Sequence, residues 1–448
     1  MNATPDSALL ESAKAGDPHA QTRVGIGFFS RGQHAEAFPW LERASQQDIP
    51  EACNLLGLMY LNGIGLPHDP TRAVHYLERA AARGLKEACY TLGNLQFNGV
   101  GTPVNEAQAR ANLLKAAGLR HLPALRTIGM LHCLANPLSD DVALPCLRLA
   151  AQGGDGFSQY VLATLLLERP VSEERAEGLY WLQQAASRRI YCAVSRWQSW
   201  LQQQSGDVLA QSARMTRPQI APDHSVELSI PDLQLAAQGA REETLAPGVL
   251  WQINNVLPPL VCDHFINLAM PALTPSYVID PDSGKALANE ARTSSSMYLR
   301  LSMYDFITGL TLRRIAELGN ENITHAEPLA VMRYLPGQEY KEHFDYFTNS
   351  GNRDRLIEMR GGQRNATLFV YLNDVEQGGE TDFPLLHACV SPKRGKAVKF
   401  LNLDAAGQPN TQMLHAGKPV IRGEKWLLTV WFRQRAFVWG EIKGGPDV

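Results

Sequence analysis

The chain has 448 residues, with 45% hydrophobic and 19% charged residues and a formal net charge of −3 at pH 7. This length predicts more than one domain, and the ordinary composition excludes a largely disordered chain. The slightly acidic balance argues against a general nucleic-acid binder. The sequence shows neither a signal-peptide pattern nor an apolar run long enough for a membrane span, so we expect no membrane partner.

The cysteines predict a reducing compartment. All seven are scattered along the chain, and no two of them form a CxxC pair. This pattern favours reduced thiols over disulfides or a thiolate zinc site. We therefore predict a cytoplasmic protein.

The first half of the chain repeats itself. Segments 51–65 (EACNLLGLMYLNGIG) and 87–101 (EACYTLGNLQFNGVG) align at an offset of 36 residues (87 − 51). Within 52–60 and again within 73–81, apolar or small residues recur at i, i+3, i+4 and i+7, which predicts two helices per unit. A fixed period of this length predicts an all-α solenoid of stacked helix pairs, which we place at residues 15–202.

This tandem pattern resembles the SEL-type repeats, relatives of the tetratricopeptide repeats. The resemblance implies a curved solenoid that binds proteins or peptides. A structural spacer without a ligand of its own is the alternative interpretation.

The second half changes in texture. Residues 203–245 are polar and contain prolines, which predicts a linker, and a second domain is placed at 246–440. Helical patterns at 256–270 and 312–320 predict helices within this domain that flank its β-structure. Several short β-type segments with regular turn signals predict a jelly roll, or double-stranded β-helix; they lie at 330–335, 366–373, 396–403 and 425–433.

The stretch KEHFDYF (341–347) places His343 and Asp345 on one face of a strand. A metal would offset the cost of burying the carboxylate, and two histidines with one carboxylate favour Fe(II) with open positions. The second histidine must come from downstream, where His387 and His415 are candidates. We choose His415, because Lys425 follows it by ten residues at the start of the apolar strand KWLLTVW. A buried lysine needs an anion, which a dicarboxylate cosubstrate would supply.

Five motifs occur in order along this half: ARTSSS (291–296), VMRYLPGQEYKEHFDYF (331–347), RNATLFVYLNDVEQGGETDFP (364–384), VSPKRGKAVKFLN (390–402) and HAGKPVIRGEKWLLTVW (415–431). With these motifs, residues 250–436 resemble the catalytic domain of the prolyl 4-hydroxylases, within the Fe(II)/2-oxoglutarate dioxygenases.

The resemblance implies a set of site residues. The iron ligands would be His343, Asp345 and His415, and Lys425 would grip the distal carboxylate of 2-oxoglutarate. Three residues are assigned to the cosubstrate pocket: Tyr334, Thr367 and Tyr371. Three more are assigned to substrate binding: Arg292, Tyr340 and Trp431. The alternative for these tyrosines is a role in the core, and for the arginine a place on the surface. The implied cofactors are Fe(II), 2-oxoglutarate and O2, with ascorbate as a further candidate.

The sequence therefore predicts a protein or peptide hydroxylase, with proline as the favoured target and the repeats helping to bind the substrate. Segments 274–296 and 347–364 occupy the places of mobile substrate loops in the family. One alternative keeps the cofactors but acts on another side chain or a small molecule. The other is a repeat scaffold whose oxygenase domain is inactive.

Overall fold

The computed structural model describes residues 7–136, 140–203, 227–232, 240–276, 278–279, 286–287, 291–347 and 357–437. The chain divides into two compact units. The first comprises Met1–Ser158, Ala221–Asp232 and Arg300–Gly309, and the second comprises Gln159–Ile220, Leu233–Leu299 and Leu310–Val448. None of the helices in the described residues is both long and apolar enough to cross a membrane.

Helices paired in antiparallel fashion build the first unit. In chain order they are α1 (Ser7–Lys14), α2 (Pro18–Ser30), α3 (His34–Ser45), α4 (Pro50–Asn62), α5 (Pro70–Ala82), α6 (Lys86–Asn98), α7 (Glu106–Gly118), α8 (Leu122–Ala135) and α9 (Asp140–Gln152). α10 (Gly156–Leu167) begins at the boundary between the units. The helix pairs confirm the predicted solenoid.

The turn between α4 and α5 shows how the repeat pattern sets the helix ends. Gly63 follows α4 with φ of 61°, a left-handed conformation that glycine adopts without strain. Asp69 then caps α5 by accepting a hydrogen bond from the Arg72 backbone N–H at 2.9 Å. Gly57 lets the two helices approach closely, because a Cβ there would lie 2.8 Å from Leu77 Cγ.

The second unit contains α11 (Ser172–Ser187), α12 (Tyr191–Gln202), α13 (Pro259–Ala269) and most of α14 (Phe306–Gly319). Its strands are β1 (Arg241–Ala246), β2 (Leu250–Asn254), β3 (Thr274–Pro275), β4 (Val278–Ile279), β5 (Ala286–Leu287), β6 (Ser295–Tyr298), β7 (Ala330–Tyr334), β8 (Tyr340–His343), β9 (Arg364–Tyr371), β10 (Gln377–Gly378), β11 (Thr381–Phe383), β12 (Ala388–Val390), β13 (Ala397–Leu401), β14 (His415–Gly417), β15 (Val420–Arg422) and β16 (Lys425–Arg433).

Two antiparallel sheets enclose the core of this unit. The larger sheet has the order β1-β2-β13-β9-β16-β7-β6-β3, and the smaller has the order β12-β11-β14-β8. Side chains from both sheets share one buried cluster, in which Phe369, Tyr371 and Leu427 of the larger sheet meet Phe383 and Val390 of the smaller. The arrangement confirms the predicted jelly roll with flanking helices.

The helices after Gln159 belong to the same compact unit as the jelly roll. Tyr160 on α10 donates a hydrogen bond to Asp263 Oδ2 on α13 at 2.8 Å. The Tyr191 ring on α12 lies 5.4 Å from that of Trp426 on β16, measured between centroids. The boundaries drawn from the sequence at 202 and 246 stay predictions. Of the predicted linker, only residues 203, 227–232 and 240–245 are described.

Candidate metal centre

Three potential metal ligands converge where β8 and β14 pair. His343 ends β8, and its register partner on β14 is His415. Asp345, two residues further, lies with Oδ1 3.7 Å from His343 Nε2 and Oδ2 3.9 Å from His415 Nε2. One ligand atom from each of the three residues can be chosen so that all lie within 4.8 Å of one another. His387, the rejected candidate, is exposed in the loop after β11 and lies outside this cluster.

Backbone carbonyls orient both imidazoles toward the common point. His343 Nδ1 lies 2.8 Å from Lys341 O, and His415 Nδ1 lies 2.9 Å from Met413 O. A carbonyl only accepts, so each Nδ1 carries the proton and each Nε2 keeps its lone pair for a metal. Two neutral imidazoles with one carboxylate are the donor set that suits Fe(II) with open positions.

The ionisation of the cluster also suits a metal. Burial lowers the pKa of His343, and the neighbouring His415 lowers it further. Burial alone would raise the pKa of Asp345, but His415, His343 and Arg364 more than offset this, and the net pKa is lowered. The lowered pKa values favour a neutral His343 imidazole and an ionised Asp345 carboxylate, the forms that bind metal.

A buried network fixes the carboxylate of Asp345. Thr367 Oγ1 on β9 donates to Asp345 Oδ2 at 2.8 Å, and Asn402 Nδ2 donates to Thr367 Oγ1 at 2.9 Å. Arg364 donates to the Asp345 carbonyl at 3.3 Å and is itself paired with Glu327 at 2.7 Å. Thr367 is predicted to contact the cosubstrate, whereas in the structure it donates a hydrogen bond to Asp345, a potential metal ligand. Its role toward the cosubstrate stays a prediction.

Lys425 is a buried cation at the start of β16. It is 1% exposed and faces Tyr334 in register, with Nζ 4.5 Å from the Tyr334 ring centroid. Burial lowers the pKa of Lys425 to about 7, with Glu380 opposing the shift. Beside it, Gly417 leaves room, because a Cβ there would lie 3.1 Å from Nζ. A buried lysine in such surroundings fits an anionic group, and its predicted contact with the distal carboxylate of 2-oxoglutarate stays a prediction.

Thr381 is a neighbour of this pocket that the sequence reasoning did not single out. It lies on β11 opposite Gly417, and its Oγ1 is 2.7 Å from the hydroxyl of Tyr371, which donates to Val390 O at 3.2 Å. Tyr371 is fully buried, and burial raises its pKa. The sequence could have indicated Thr381 as a polar residue that directly follows the glycine turn QGGE (377–380) and begins the short strand that ends at Phe383.

Two of the three residues predicted for substrate binding lie beside the cluster. The Tyr340 ring stacks on that of His343 with centroids 3.5 Å apart, and Arg292 Cζ lies 5.0 Å from the Tyr340 centroid. Trp431 instead lies in the core, opposite Thr367 in register and beneath the guanidinium of Arg364. All three assignments stay predictions. Parts of the predicted loops 274–296 and 347–364 lie outside the described residues.

Comparisons with known proteins match both halves of the chain. The 2OG-Fe(II) oxygenase superfamily model matches residues 329–433, and the Sel1 repeat model matches 18–49, 50–85, 86–121 and 156–189. Probable prolyl 4-hydroxylase 7 of Arabidopsis thaliana is 36% identical over 196 residues, which are 39% of this chain and 60% of that protein. Prolyl 4-hydroxylase 1 of the same plant is 37% identical over 199 residues, 41% of this chain and 68% of that protein.

Among solved structures, the 2OG complex of a viral collagen prolyl hydroxylase from Paramecium Bursaria Chlorella virus-1 is 28% identical. The match has a TM-score of 0.33 and covers 42% of this chain and 98% of the viral chain. Against the two plant relatives, this chain spans 60% and 68% of their length.

Proposed function

The chain belongs to the prolyl 4-hydroxylase family of the 2OG-Fe(II) oxygenases, and on that premise we propose that it hydroxylates a protein or peptide at proline with Fe(II), 2-oxoglutarate and O2. The observation that carries the proposal is the convergence of His343, Asp345 and His415, whose ligand atoms lie within 4.8 Å of one another with both imidazoles correctly oriented.

The residues of this chain would divide the work between binding and positioning. His343, Asp345 and His415 would hold the iron, and Lys425 would fix the far end of 2-oxoglutarate. When bound, iron together with 2-oxoglutarate and O2 supplies the oxidation that places one oxygen atom on the substrate while 2-oxoglutarate becomes succinate and CO2. Thr367 keeps the Asp345 carboxylate in place through its hydrogen bond. Burial of Lys425 keeps water away from the carboxylate that it would bind.

We also propose that the repeats take part in binding the polypeptide substrate and that the protein works in the cytoplasm. The Sel1 matches support the first proposal. The second is supported by the cysteines, all seven of which are free. Ascorbate is included as a candidate reductant that sustains turnover.

The test supplies purified protein with Fe(II), 2-oxoglutarate and O2, with and without ascorbate, and a set of proline-containing peptides. Succinate is quantified, and mass spectrometry locates any gain of a single oxygen atom. We expect both products from the wild type and from His387→Ala, and neither from Asp345→Ala. Succinate with oxygen found on another residue or a small molecule would move the target away from proline. Metal binding without any succinate, with every peptide, would overturn the proposal in favour of an inactive scaffold.

A further inference from the structure

Residues 227–232 (ELSIPD) lie against the repeats of the first unit without forming helix or strand. Arg110 on α7 donates from one guanidinium nitrogen to the carbonyls of Ile230 and Pro231, at 3.1 and 3.0 Å. His132 on α8 places Nε2 3.0 Å from the carbonyl of Ser229. Two side chains of the repeats therefore bind three consecutive backbone carbonyls.

The contact involves a polar side chain that is shielded from solvent. His132 is 8% exposed, so its ring is nearly enclosed, and the carbonyl that it contacts requires Nε2 to carry the proton. The equivalent position one repeat earlier (132 − 36) is Gln96, which accepts a hydrogen bond from Asn112 Nδ2 at 2.8 Å and is 5% exposed. The repeats thus carry buried polar side chains at this position in successive units.

A second segment of the same unit is bound in a similar way. Asn98 Nδ2 on α6 donates to the carbonyl of Tyr304 at 3.1 Å, while Ser302 donates its hydroxyl to Asn62 on α4 at 2.8 Å. Asn62 and Asn98 are separated by one repeat. The helices α4, α6, α7 and α8 therefore all contribute polar side chains that hold non-repeat polypeptide, and much of this recognition is directed at the backbone.

The sequence of the bound segment favours the conformation that such a surface selects. Pro231 restricts Ile230 to extended conformations, and extended chains leave their carbonyls unpaired. A proline-containing peptide is thus partly organised before it binds, which lowers the entropy cost of ordering it. Recognition through carbonyls tolerates varied side chains as long as the backbone stays extended.

We propose that Arg110 and His132 form a binding site for extended, proline-containing polypeptide and that residues 227–232 occupy this site as an internal ligand. An external peptide must displace a segment of the same chain, whose effective concentration is on the order of millimolar. External peptides therefore cannot bind to this site until residues 227–232 leave it. This inference does not depend on iron binding or on hydroxylation.

The test measures binding of a fluorescein-labelled peptide with the sequence of residues 225–234 (SVELSIPDLQ) to the full-length protein by fluorescence anisotropy. In the open variant, residues 227–232 are deleted, so that none of the three bound carbonyls is present. We expect this variant to bind the labelled peptide at least about tenfold more tightly than the wild type, because the internal competitor is gone.

Two further variants in the open background identify the site. Arg110→Met should remove the gain in affinity, whereas Arg23→Met, which changes an exposed arginine on α2, should keep it. Equal binding to the wild type and the open variant would overturn the proposal. So would the absence of binding to the open variant at millimolar peptide, or binding that survives Arg110→Met. Circular dichroism and metal titration of each variant verify that the fold is intact.

Discussion

The affinity for 2-oxoglutarate should fall as the pH rises through neutrality, because Lys425 loses its charge in that range. Burial lowers the pKa of this lysine from 10.5 to about 7, so the charged form dominates below that pH and the neutral form above it. Both carboxylates of the cosubstrate are ionised throughout this range. If binding requires the ammonium, the observed dissociation constant scales with 1 + 10^(pH − pKa), which gives factors of about 1.1 at pH 6, about 2 at pH 7 and about 11 at pH 8. The expected weakening from pH 6 to pH 8 is about tenfold, or about 1.4 kcal/mol.

Isothermal titration calorimetry of the Mn(II)-loaded protein measures this affinity without turnover. Comparing buffers with different ionisation enthalpies gives the protons taken up per ligand, which should be about 0.9 at pH 8 and about 0.1 at pH 6. Lys425→Met should lose most of the affinity together with its pH dependence. Lys418→Met is the matched control, because that side chain is 45% exposed and pairs with Asp382, and it should behave as the wild type.

Metal loading must be followed separately, since metal affinity itself depends on pH. Electron paramagnetic resonance of Mn(II) provides this measurement at each pH. A constant affinity from pH 6 to pH 8 with saturated metal, and no proton uptake at pH 8, would refute the reasoning. Neutral Lys425 would then bind the cosubstrate as well as the charged form does.

Three other substitutions test the remaining contacts of the site. His415→Ala should abolish Mn(II) binding in the same resonance assay, whereas the exposed His387→Ala should leave it unchanged; equal loss in both would contradict the choice of ligand. Thr367→Val should weaken metal affinity about 10- to 100-fold in a competitive titration, because it removes a hydrogen bond to the ligand carboxylate. An unchanged affinity would contradict that role. Arg364→Met should lower the free energy of unfolding in urea by about 1.5–3 kcal/mol, because Glu327 loses its charge-assisted hydrogen bonds from Arg364 but keeps its ion pair with Arg433; a loss under about 1 kcal/mol would contradict it.

The repeat fold could be predicted because its signal is local and periodic. Gly57 and Gly93 are separated by one repeat, and each lies where the following helix of its pair approaches closely. The metal cluster could be predicted for a related reason. The alternation of side chains along a strand places His343 and Asp345 together, and the charged Lys425 in an apolar strand indicated which downstream histidine belongs with them.

Contacts between distant segments left no comparable signal. The grouping of α10–α12 with the jelly roll depends on pairs such as Tyr160 with Asp263, which are 103 residues apart. Residues 227–232 likewise look like part of a polar linker, since neither a hydrophobic period nor a charge run marks the carbonyls that Arg110 binds. Hydrogen bonds to backbone carbonyls depend on where the chain passes rather than on which side chains it carries.

Thr367 shows where strand alternation stops being informative. Thr367 and Tyr371 share a face of β9, as the alternation predicts, but they are four residues apart, or about 13 Å along an extended strand. In register, Tyr371 lies opposite Leu427, two residues from Lys425, whereas Thr367 lies opposite Trp431. The hydroxyl of Thr367 accordingly reaches Asp345, at the end of the pocket where a metal would bind. Alternation decides which face a residue occupies, but the register of the neighbouring strand decides which end of the pocket it serves, and one sequence does not contain that register.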